Sequence, residues 1–213
     1  MSYDYLEAYL AGELEAKAFY QQLFSNKDLQ TRIRELIPKD AMGNPEHPLW
    51  KRFAYTALSR YHFDLFRYVE NAYRFDGSLG DNLNIWGTIS DFYQYHHPDF
   101  TITTKYHDAF DLFLNAAGDT FSGPEVQAFV ERIIYEELNV KPKTKRIKET
   151  RARIREAFHV NDGPKPYWIQ GGEWPMGKNT PMRFMRKKRI GEKVEYYFED
   201  TETGEMRIIT QYY

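Results

Sequence analysis

The sequence predicts a mainly α fold, a helical bundle of about six or seven helices with a small C-terminal antiparallel β-sheet. Three observations carry this. Apolar residues recur every three or four positions through most of the first 160 residues. Pro, Gly and Asn clusters cut that pattern into helix-length pieces. Beyond residue 180 the period shortens to two. The organisation is then a helical body over 1–160 and a small β tail over 161–213 packed on it.

The first helix is expected over 3–24. Tyr5, Leu6, Tyr9, Leu10, Leu14, Phe19 and Leu23 recur at helical spacing, with Glu7, Glu13, Glu15 and Lys17 between them. Gly12 is its weak spot, costing about 1 kcal/mol relative to Ala if exposed. Asn26 suits the cap of a short helix over 27–37, which stops before Pro38. Residues 38–45 have the Pro, Gly and Asn content of a loop. The longest helix is expected over 48–75, where a broad stripe from Trp50 to Ala72 implies neighbours on more than one side. Gly77 and Gly80 end it. Further helices are expected over 82–95, 103–117, 124–138 and 143–158, with Ser122 as the cap and Pro124 in the first turn of the third of these.

Residues 161–166 read as a linker. Val194–Phe198 and Met206–Thr210 flank Asp200-Thr201-Glu202-Thr203-Gly204, a hairpin with a longer loop. Met182–Arg186 is expected to pair with it across Ile190-Gly191-Glu192.

Composition excludes several classes. With no Cys there is no disulfide framework, thiolate metal site or cysteine nucleophile. No apolar run reaches the roughly 20 residues that span a bilayer, and acids near the N-terminus do not suit a secretory signal. The expectation is a cytoplasmic protein without membrane contact. Hydrophobic residues at 42% and charged ones at 28% are ordinary, but aromatics reach 17%. Packing accounts for most of these rings, and a recognition surface is the sharper use of some.

The net charge is -2, so whole-molecule steering toward nucleic acid is not expected. That total hides an asymmetry. Residues 1–140 hold 12 Lys/Arg and 21 Asp/Glu, while residues 141–160 hold 8 and 2. The basic segment also has an apolar side in Ile147, Ile154, Ala157 and Phe158. A buried stripe with a solvated or internally paired basic face accounts for it, and a nucleic-acid groove is the lesser reading, so nucleic acid is not expected as a partner.

No Gly-x-Ser-x-Gly elbow, phosphate-cradling Gly-rich loop or Gly-x-Gly-x-x-Gly is present. Histidine gives the one enzymatic alternative. His107-Asp108 is similar to the His-Asp step of HD-type metal phosphohydrolases. His62, His96 and His97 would be further ligands, and Asp111 or Asp119 the late acid. Scattered surface or capping histidines account for the same residues. A carboxylate-bridged di-iron bundle needs two Glu-x-x-His turns, and the chain has one, Glu156 with His159. No cofactor is expected.

The most distinctive text is Pro166-Tyr167-Trp168-Ile169-Gln170-Gly171-Gly172-Glu173-Trp174-Pro175, followed by Pro181-Met182-Arg183-Phe184, Tyr196-Tyr197-Phe198 and a terminal Gln211-Tyr212-Tyr213. It resembles a C-terminal module of bacterial proteins, some of them immunity proteins encoded beside polymorphic toxins. In larger members of that group a Cys-containing knuckle sits between Trp-Pro and Pro-Met. Here Met176–Thr180 stand in that place without cysteine, so no metal knuckle is carried over. The resemblance implies a protein-binding role and no catalytic residues. Read from the residues alone, Trp168, Ile169, Gln170 and Trp174 anchor the tail.

The functional expectation is a non-catalytic protein-binding protein, an immunity protein that occludes a basic, nuclease-like toxin. The expected contact residues, from charge and aromatic character, are Tyr3, Asp4, Glu7, Glu13, Asp91, Tyr93, Tyr95 and Asp99. The alternative is the metal phosphohydrolase on His62, His96, His97, His107 and Asp108, which requires at least three of these to converge.

Overall fold

The computed structural model describes residues 4–41, 44, 46–49, 64–75, 79–161 and 163–213. Tyr3, His62, Gly77 and positions 50–63 of the helix expected over 48–75 lie outside the described residues. So do Met42, Gly43 and Pro45 of the expected loop, and Asp162 of the linker. The fold is mainly α with a three-stranded antiparallel sheet at the C-terminal end. The chain forms two compact units, Met1–His107 and Asp108–Tyr213. The sheet therefore shares a unit with residues 108–160.

In the first unit, Asp4 opens α1 (Tyr5–Ala11) by accepting from the amides of Leu6 and Glu7, each at 3.1 Å. Gly12 closes it in the left-handed region, φ +81°. A Cβ there would lie 2.9 Å from Thr103 Oγ1, and the Thr103 amide donates to the Leu10 carbonyl at 2.9 Å. The one helix expected over 3–24 is thus two, because the chain turns at Gly12. The turn lets Tyr9 stack on Phe19 of α2 (Ala16–Ser25), with centroids 4.1 Å apart. Asn26 caps α3 (Lys27–Glu35) as expected, accepting from Asp28 and Leu29 amides. Helices α4 (Leu65–Phe75) and α5 (Leu79–His96) follow. Tyr9, Phe19, Tyr20, Leu23, Ile33, Val69, Ile85, Ile89, Tyr93 and Tyr106 belong to one buried cluster. At roughly 1.5–3 kcal/mol per large side chain, this cluster is what holds the unit against chain entropy.

Helix α6 (Lys105–Ala116) carries the chain into the second unit, which continues through α7 (Gln127–Glu137) and α8 (Lys143–Ala157). Helix α7 begins three residues later than expected. Gly123, at φ +146°, and a hydrogen bond from the Trp174 amide to the Ser122 carbonyl (3.0 Å) hold the entry extended. The released Glu125 carboxylate instead pairs with Arg207 at 2.7 Å and accepts from the Met176 amide.

Strands β1 (Arg183–Ile190), β2 (Lys193–Glu199) and β3 (Met206–Tyr212) lie in that order, antiparallel. Ile190 pairs with Lys193 across a two-residue turn, and a bulge falls between Phe184 and Arg186. Phe184, Val194, Tyr196, Phe198 and Gln211 are buried. The opposite side of β2, with Glu195, Tyr197 and Glu199, is only partly covered. Among the described residues no helix is long and apolar enough to cross a membrane.

Candidate binding surfaces

The tail is built as an aromatic clamp. Trp174 is fully buried, with centroids 4.8 Å from Phe158, 5.5 Å from Phe198 and 5.7 Å from Phe121. Its Nε1 donates to the Met182 carbonyl at 2.7 Å, so its polar end is satisfied. Trp168 packs on Tyr196 and Phe198 and donates to the Thr120 carbonyl. Ile169 donates through its amide to Tyr196 Oη and Gln211 Oε1. Gln170 is exposed and donates to the Tyr212 carbonyl at 2.8 Å. The first residue of the terminal Gln211-Tyr212-Tyr213 carries most of the polar wiring. The buried Gln211 side chain accepts from the Ile169 and Gln170 amides and donates to the Gly171 carbonyl and Glu173. The sequence marked it as part of the distinctive terminal text but did not place it among the tail anchors.

In the first unit the structure brings Glu7, Tyr93, His96, His97 and Asp99 together. They line an open cleft of about 360 Å³ with Pro98 and Phe100. The N-terminus of α1 supplies Glu7, and α5 with the turn after it supplies the rest. Tyr93 is buried, and its hydroxyl donates to Glu7 at 2.5 Å. Burial first, and the Glu7 hydrogen bond next, push its phenol well above the ordinary tyrosine range. The His97 ring stacks on Tyr93 at 4.4 Å, and Phe100 meets the same ring edge-on. His96 Nε2 is bound to the Leu36 carbonyl at 2.9 Å.

Asp4 sits beside this cleft as a structural residue. Beyond its capping role it receives two hydrogen bonds from Arg32, at 3.1 and 3.0 Å. Partial burial acts to raise its pKa, but the Arg32 and amide hydrogen bonds outweigh it and hold the carboxyl below its ordinary value. A depressed carboxyl stabilises the fold above the unfolded-state pKa, and this is lost as pH falls through the folded value. Asp4→Asn keeps a capping oxygen and removes the charge. Its stability deficit in thermal melts should be greatest near neutrality and should shrink below about pH 4. A deficit that is constant from pH 7 to pH 2 would contradict this.

Of the remaining expected contact residues, Glu13, Tyr95 and Asp99 are exposed and Asp91 is half-buried. Tyr95 packs one side against the His47 ring. The histidines are dispersed in role. His47 is buried and its Nδ1 accepts from the Leu49 amide, and His159 touches Thr201. Glu156 and His159 line a second open cleft of about 390 Å³ with Asn161, Gly163 and Arg183. Among the described residues no three His, Asp or Glu side chains are placed to hold a metal ion. The convergence that the phosphohydrolase reading requires of His96, His97, His107 and Asp108 is not found there.

The basic segment is largely tied to its own unit. Arg153 bridges Glu136 and Glu137, at 2.6 and 2.5 Å. Lys143 reaches Asp111, Lys145 reaches Glu149, and Arg151 donates to the Asn115 carbonyl. Arg146 donates to the Leu138 carbonyl. No protein-family model, curated protein or solved structure matches the chain.

Proposed function

We propose that the chain is a non-catalytic protein-binding protein, and at finer grain an immunity protein that occludes the basic active-site cleft of a nuclease-like bacterial toxin. The observation that supports it is the cleft formed by Glu7, Tyr93, His97 and Asp99. Its carboxylates suit a lysine or arginine from a basic partner. The exposed His97 ring, stacked on the buried Tyr93, offers a flat face beside the Asp99 carboxylate. The likeness of the tail to immunity-type modules points the same way. Occlusion needs no catalytic group in this chain. Partner contact falls on Asp99 in the cleft and on the exposed Glu13 and Tyr95 of the same unit, while Glu7 and Tyr93 hold the cleft in shape.

The test is the association rate with a protein partner captured from the source cell. Asp99→Lys combined with Glu13→Lys should slow association about tenfold or more at low salt, with a smaller effect near 0.5 M salt. Both side chains are exposed, so the variant should melt within a few degrees of wild type. An unchanged association rate at low salt would overturn the electrostatic reading.

A further inference from the structure

We propose that strand β1, with the tyrosines beside it, binds single-stranded nucleic acid. The inference is independent of the acidic cleft and concerns the second unit alone.

Five of the eight β1 residues are basic: Arg183, Arg186, Lys187, Lys188 and Arg189. Arg183 is paired with Glu199 at 2.5 Å. The other four are exposed, and none of them makes a salt bridge with a described residue. The β2 acids are engaged, Glu199 by Arg183 and Glu195 by Lys193 and the Tyr197 hydroxyl, while Arg189 Nε donates to the Gly191 carbonyl at 3.3 Å. This differs from α8, where Lys143, Lys145 and Arg153 pair with carboxylates. This positive charge without salt bridges lies in a tail whose net charge is nearly neutral, so a total of -2 does not reveal it.

Geometry adds a second feature. Side chains alternate along a strand, and same-face neighbours stand about 7 Å apart. Arg186 and Lys188 align with Tyr197 and Glu195 on the sheet's open face, whereas Lys187 and Arg189 align with Tyr196 and Val194. Cations therefore flank both sides of an edge strand. Three of them lie against tyrosine rings: Arg186 at 4.7 Å from Tyr197, Lys187 at 5.5 Å from Tyr167, and Arg189 at 4.7 Å from Tyr213. Tyr167 and Tyr213 are 71% and 68% exposed.

Tyr167 is held out deliberately by its backbone. Its φ of +47° is uncommon for a bulky residue. Its carbonyl accepts from the buried Tyr196 hydroxyl, and the next residue, Trp168, packs inward. Strain kept at an exposed ring, anchored from within, is what a preorganised contact residue requires.

Cations without salt bridges, beside exposed rings, match a ligand with phosphates and stackable bases, which is the composition of single-strand binding grooves. An acidic protein segment would use the cations and leave the rings without a role. A duplex would offer no unstacked base.

The test is fluorescence anisotropy with labelled 20-nucleotide dT and U strands and the full chain, at 50–200 mM salt. Arg186, Lys187, Lys188 and Arg189 changed together to Gln should weaken binding about thirtyfold or more at the low-salt end. The change should reduce the slope of log affinity against log salt by about 2–3. Tyr167→Ala with Tyr213→Ala should weaken binding about fivefold or more without changing that slope. Gln at the exposed Lys17, Lys27, Lys141 and Lys148 removes the same charge elsewhere and should have a much smaller effect. Absence of binding at 50 mM salt, or equal binding by the strand and control variants, would overturn the proposal. So would a duplex that binds equally well. Displacement by polyglutamate as effective as by oligonucleotide, with the tyrosine variant unaffected, would overturn it in favour of an acidic protein partner.

Discussion

Trp174→Ala should lower the unfolding free energy by about 3–5 kcal/mol. The indole is completely buried and touches Phe121, Phe158 and Phe198. These come from three separate stretches of the second unit, so no single element can shift to fill the space. The truncation also leaves the Met182 carbonyl without its indole donor, and an unsatisfied buried acceptor adds to the cost of the cavity. Trp174→Phe refills part of the volume and loses only the N–H, so it should cost clearly less. Urea unfolding followed by circular dichroism reads both. A loss below about 1 kcal/mol for the alanine variant would mean that the aromatic clamp does not hold this unit together.

Gly123→Ala should cost about 3 kcal/mol or more, a large effect for one methyl group. The added Cβ would lie 2.6 Å from the Trp174 amide nitrogen and near the Glu173 backbone. The contact is with main chain, so no side-chain rotation relieves it. The φ of +146° adds strain of its own. Relief would require moving the Ser122–Trp174 hydrogen bond, which would unseat Trp174. Gly171→Ala meets nothing within 4 Å and should stay within about 0.5 kcal/mol of wild type. Similar melting of the two variants would contradict the close approach.

Periodicity made most elements legible. The stripes of α6 and α8, the Asn26 cap and the three strands follow from residue type and spacing. What was not legible depended on distant partners. The break after α1 follows from Thr103, some ninety residues later, closing on Gly12. The late start of α7 follows from Trp174 and Arg207 claiming Ser122 and Glu125. Nor did composition mark a boundary near residue 107, since α6 runs through it as a continuous helix.

The candidate surfaces show the same division. Charge and aromatic character picked out Glu7, Tyr93 and Asp99, which share one cleft. They could not say that Asp4 and Tyr93 would be spent on Arg32 and Glu7. The basic run at 141–160 is conspicuous in sequence, yet α7 and α6 supply acids for it. Four of the less conspicuous cations of β1 make no salt bridge, because the β2 acids opposite them, Glu199 and Glu195, are taken by Arg183 and Lys193.

The most direct measurement of the central claim is a titration of the captured protein partner's enzymatic activity with this chain. Stoichiometric occlusion predicts a linear fall that ends at one equivalent, with the chain itself unchanged and no substrate consumed by it alone. Loss of the partner's activity at a small fraction of an equivalent would contradict the claim, as would a tight complex that keeps full activity.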